Sequence, residues 1–156
     1  MSSSVITALI AALATIVAAI IPRVLDNLRY APLVHKRQNQ LKGSWRGTTT
    51  QSYETGNKQI VVELTIEMRS TWRKVSMDAL VKGGGTELKV RADGGFIWGD
   101  YIKLDYESKD PAIKNFGSMI LHLHANGKSL KGRMIGFGSE SEQLVHGSVV
   151  LEKILD

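Results

Sequence analysis

The chain has 156 residues and no cysteine, which leaves room for one domain with an appendage and excludes a disulfide scaffold, a thiolate zinc site and a thiol nucleophile. Its formal net charge is +5, but the excess is local. Residues 23–42 hold Arg23, Arg29, Lys36, Arg37 and Lys42 against Asp26, a net of +4, whereas residues 43–156 carry 15 basic and 14 acidic side chains. A nearly neutral body argues against DNA or RNA as a partner, because nucleic-acid binding needs a basic face on the folded domain.

No charged side chain occurs from Met1 to Pro22. About 20 apolar residues cross a bilayer core as a helix, so residues 1–25 are expected to form a single transmembrane helix. The competing readings are a buried helix and a cleaved export signal. A signal carries its basic residues before the apolar run, and here they follow it. The basic cluster places the N-terminus outside and the body in the cytosol, which implies a single-pass membrane protein. Thr7, Ala11, Thr15 and Ala19 fall four apart and line one helix face, and small residues so spaced let helices approach closely in lipid. This face is the expected site of homo-oligomerisation. Pro22 and Pro32 interrupt the helix, so residues 26–40 read as a basic juxtamembrane helix or linker.

From residue 41 the hydrophobic period becomes two. Ile60, Val62, Leu64, Ile66 and Met68 alternate with Gln59, Val61, Glu63, Thr65 and Glu67, and Val75, Met77, Ala79 and Val81 alternate with Lys74, Ser76, Asp78 and Leu80; Leu88, Val90 and Ala92 follow. The segment 95–107 reads as one strand with Phe96, Trp98, Ile102, Leu104 and Tyr106 on one side. Met119, Leu121 and Leu123 follow, and two further strands end the chain. With the opening segment 41–53 this makes eight strands. Turns are expected at Thr55-Gly56-Asn57, Gly83-Gly84-Gly85, Asp93-Gly94-Gly95, Asp110-Pro111 and Asn126-Gly127, the last as a type I′ hairpin. Short connections predict an antiparallel up-and-down β-barrel over residues 41–156, with a two-sheet sandwich as the alternative. An eight-stranded barrel has an interior filled by side chains or by one small ligand.

Catalytic motifs are not apparent. Gly127-Lys128-Ser129 lacks the earlier glycine of a phosphate-binding loop, since His122 stands there. His122 and His124 share a strand face but have no third ligand close in sequence. Asp105 and Glu107 share a face with Lys103 between them and read as solvated surface. The chain is therefore read as a binding protein, not an enzyme, and without a cofactor or metal. Trp98 and Tyr106 offer stacking surfaces, and Arg69, Arg91 and Arg133 offer planar forks for phosphate. Arg133 leads, beside the space left by Gly132 and Gly136. Arg91 and Trp98 flank the expected turn at residues 93–95.

Gly43-Ser44-Trp45 resembles the G-x-W opening of lipocalin-like barrels, which implies that Trp45 packs the closed end. Together with the apolar N-terminus, the chain resembles the membrane-anchored eight-stranded β-barrel effectors of bacterial CBASS anti-phage defence, the STING-like group, and related Panoptes-type effectors. One apolar run is present where that family has two. The resemblance implies a protein of the bacterial inner membrane whose barrel binds a cyclic dinucleotide from a partner nucleotidyltransferase and controls oligomerisation of the span, leading to inner-membrane disruption and growth arrest. The alternative is a membrane-tethered, lipocalin-like carrier or sensor of an apolar small ligand.

Overall fold

The computed structural model describes residues 36–54, 59–71, 74–138 and 142–155. The expected span over 1–25, with its Thr7–Ala11–Thr15–Ala19 face, lies outside them, as does the turn at 55–57. Among the described residues, no helix is long and apolar enough to cross a membrane.

Eight strands form a closed antiparallel barrel: β1 (Gly43–Tyr53), β2 (Gln59–Ser70), β3 (Val75–Gly83), β4 (Thr86–Trp98), β5 (Tyr101–Ser108), β6 (Phe116–Leu123), β7 (Ser129–Gly138) and β8 (Gln143–Lys153). Each strand pairs with its neighbour in sequence, and β1 closes the ring on β8 from Trp45↔Lys153 to Tyr53↔Val145. Closure leaves no edge strand open to aggregation. Burial alternates along β2 and β8 residue by residue, because successive side chains in a strand point to opposite faces.

Two features differ from the sequence expectation. Asp93-Gly94-Gly95 is not a turn: β4 runs through it, with Asp93↔Asp105 and Gly94↔Leu104 paired to β5. The glycines mark a close approach of backbones. A Cβ on Gly94 would stand 1.9 Å from the Lys103 carbonyl oxygen. The chain reverses later, at Gly99 (φ 54°) and Asp100. The Asn126-Gly127 turn is present but is not type I′, which needs positive φ at both central residues. Only Gly127 has it, and its N–H donates to His124 O at 2.9 Å. Gly84 and Gly85 both have positive φ and do form such a two-residue connection between β3 and β4.

The two barrel ends differ. One is closed by a helical turn over residues 36–41, whose Leu41 is fully buried beside Trp45. Trp45 Nε1 donates to Leu41 O at 2.8 Å. Gln38 is buried and donates to Thr71 O at 2.9 Å. Arg37 pairs with Asp100 at 2.7 Å and donates to His124 O and Ala125 O. The compact barrel unit therefore begins at Arg37, earlier than the expected boundary at residue 41. Above this cap, Met68, Ile102, Leu104, Leu121, Leu123, Leu130 and Leu151 fill the interior.

Candidate functional site

The interior empties toward the other end. A cavity of about 70 Å³ lies above the packed core, walled mainly by Leu64, Ile66, Met77, Ala79, Val90, Met119, Met134 and Val149. Its polar lining is Thr49, Gln51, Tyr106 and Asn115, and among the described residues no lining side chain is charged. Thr49 Oγ1 lies 3.3 Å from Met134 Sδ and Gln51 Nε2 lies 3.9 Å from it, both weak partners that leave hydrogen-bonding capacity. The cavity shares Gln51, Val81, Leu88, Asn115, Gly138 and Val145 with a wide mouth of about 810 Å³. Among the described residues lining that mouth, the charged ones are Lys114, Glu87 and Glu142.

Glycines make room for Tyr106 in the wall. Gly132, Met134 and Gly136 alternate along the inner face of β7, as the sequence spacing suggests. Tyr106 stands opposite Gly117, which stands opposite Gly136. The Tyr106 ring lies across this side-chain-free strip: a Cβ at Gly136 would meet its hydroxyl at 2.1 Å. Burial pushes the Tyr106 phenol up to about 12. The folded protein therefore holds this proton above pH 10 while the unfolded chain releases it. By linkage, stability falls as pH rises from about 10 to about 12. In a spectrophotometric titration, one of the four tyrosines should ionise late, and Tyr106→Phe should remove that late step.

The other sequence candidates do not converge here. Arg69, Arg91 and Arg133 occupy outward positions of β2, β4 and β7, because strand alternation turns them away from the buried face. Arg69 pairs with Asp78, which also binds Lys109 at 2.5 Å. The hydrogen bond from Lys109, with Arg69 nearby, holds the Asp78 carboxyl below its usual range. Arg91 donates to Glu107 at 2.7 Å. Trp98 is 81% exposed in the β4–β5 hairpin, at the closed end rather than inside. Arg91 and Trp98 flank no common turn, since residues 93–95 are strand. Gly43 begins β1 with φ 109°, and Trp45 is 0% exposed at the cap. Among the described residues no group of three metal-ligating side chains occurs. His122 and His124 have ring centroids 5.3 Å apart, with Tyr101 4.8 Å from His122.

Sequence reasoning missed Thr49, Gln51, Asn115 and the methionines as cavity lining. The signal was present in β1, where Thr49 and Gln51 stand at inward positions that an ordinary core fills with aliphatic residues.

No protein-family model matches the chain, and no curated protein matches it. Among solved structures, a protein of unknown function from the DUF3598 family of Nostoc punctiforme is similar at 12% identity and a TM-score of 0.44, over 74% of this chain and 48% of that one. This chain thus spans about half the length of that relative. The monomer form of the M. tuberculosis PknI sensor domain is similar at 14% identity and a TM-score of 0.43, over 74% of this chain and 88% of that chain.

Proposed function

We propose that the barrel is a receptor for a slender, uncharged, mostly apolar small molecule held in the lumen, and that residues 1–25 tether it to a membrane. The uncharged lumen carries this reading. A buried charge without a partner is strongly unfavourable, so an anionic group inside would need a cation, and the described lining residues include none. An apolar cavity of about 150 Å³ takes up benzene, and the inner cavity is about 70 Å³, so only the end of an alkyl chain enters it and the rest of the ligand lies in the mouth. A polar end of the ligand would meet Gln51 and Asn115 where the cavity joins the mouth.

A second reading, the cyclic-dinucleotide effector, draws on a different place. Lys131 and Arg133 are exposed on the outer wall of β7, with Phe137 on the same face and stacked on Phe116 at 5.7 Å. Neither cation has an ion-pair partner among the described residues. Cations beside aromatic faces suit a flat-based dianion.

Calorimetry with 1-octanol on a 37–156 fragment separates the two. Ala79→Leu, which fills the lumen, should weaken octanol binding at least tenfold. Arg133→Ala should leave it unchanged and alter stability by no more than about 0.5 kcal/mol. Binding of a cyclic dinucleotide that Arg133→Ala abolishes, with no uptake of octanol, would overturn the lumen reading in favour of the second.

A further inference from the structure

The β4–β5 hairpin at the closed end has an unusual tip. The register between the strands slips between Phe96 and Trp98, leaving Ile97 as an extra residue. Such a bulge re-aims side chains, and here two consecutive apolar residues both face outward, Ile97 at 55% and Trp98 at 81% exposure. Tyr101, paired with Trp98, is exposed beside them. At the same end of the barrel the C-terminal Ile154 donates its N–H to Ser44 O, and Ile154 and Leu155 are exposed.

Charge at this end is mixed. Next to the hairpin tip Asp100 is neutralised by Arg37, and further along β4 Asp93 pairs with Lys74; Glu67 and Glu152 are exposed on the far side of the same end. Lys42 and Lys128 remain exposed around it. Trp and Tyr with an apolar neighbour and a fringe of lysines have the composition of a side-chain set that sits at the headgroup level of a bilayer. The chain also joins the barrel here. Arg37, the first residue of the barrel unit, is tied to Asp100 next to the hairpin, so the barrel unit begins at the closed end.

We infer that the closed end of the barrel docks on an anionic phospholipid surface, with Ile97 and Trp98 entering the boundary between headgroups and acyl chains. This rests on the reading of residues 1–25 as a membrane tether and adds an orientation to it: the mouth faces away from the bilayer, so ligand enters from the aqueous side. The tip is displayed by a bulge and a hairpin whose exposed side chains contribute nothing to the barrel core.

The absence of cysteine makes the test direct. Full-length Ile97→Cys, and separately Trp98→Cys, carries one environment-sensitive fluorophore, with Lys114→Cys at the mouth as the comparison. The proteins are reconstituted in phosphatidylethanolamine–phosphatidylglycerol vesicles containing a spin-labelled lipid that quenches the fluorophore. Quenching several-fold stronger at 97 and 98 than at 114 is the expected result. Equal quenching at all three, in protein that floats with the vesicles, overturns the docking and leaves the tether standing. Protein that does not float with the vesicles overturns both.

Discussion

Replacing Trp45 with alanine is expected to destabilise the barrel by about 3–5 kcal/mol, the usual cost of truncating a large buried aromatic. Trp45 is fully buried between the barrel floor and the helical turn, and its indole N–H donates to the Leu41 carbonyl oxygen. Truncation opens a void under the cap and frees that carbonyl, so the turn that carries Arg37, Gln38 and Leu41 loses its seat. Domains of this kind have about 5–15 kcal/mol in total, and the loss should appear as a fall of roughly 10–20 °C in Tm. Trp45→Phe keeps most of the buried area and gives up the hydrogen bond, at about 1 kcal/mol. Urea unfolding of the two variants beside the parent measures both. Equal, small losses would mean that the cap is not fastened through this side chain.

Gly94→Ala should cost about 2–3 kcal/mol, at the upper end for overpacking. The added methyl would stand 1.9 Å from the Lys103 carbonyl oxygen, 2.9 Å from its carbon and 3.0 Å from Leu104 Cα. These are backbone atoms of the paired strand, so no rotamer change relieves the clash and β4 and β5 must part. Gly84→Ala is the control. It has nothing within 4 Å but a φ of 60°, so its cost is conformational alone, about 1 kcal/mol. If Gly84→Ala proves the more damaging of the two, the close β4–β5 approach is not a constraint on the fold.

Gly94 also shows where the sequence was legible and where it was not. Alternation in β2, β3, β6 and β8 marks both the strands and the inward faces, since one buried and one wet face leave a period of two. The count of eight and the closed ring follow from short connections. Asp93-Gly94-Gly95 has the composition of a turn, yet here the glycines serve contact between strands. Composition alone cannot separate these uses, because both demand a missing side chain. The misplacement moved Trp98 from a hairpin tip into an imagined inner face. The arginines were sought for their chemistry, while their positions in the alternation already pointed outward. Tyr106 was correctly placed inside, though its support, the Gly117–Gly136 strip, depends on cross-strand register that no single segment reveals. The cap was legible only as Trp45: the tie between Arg37 and Asp100 joins positions 63 apart in sequence.

The five methionines offer the most direct test of the lumen as the binding site. Met77, Met119 and Met134 line the cavity, and Met68 is packed in the solid half of the same interior. Methyl-labelled methionine in the 37–156 fragment therefore gives three reporters and an internal control in one NMR spectrum. Titration with 1-octanol should shift the Met77, Met119 and Met134 methyls together, with a single affinity, and leave Met68 in place. A cyclic dinucleotide should move none of the four. The account would be contradicted if saturating octanol left the three cavity methyls unshifted, or if the nucleotide shifted them.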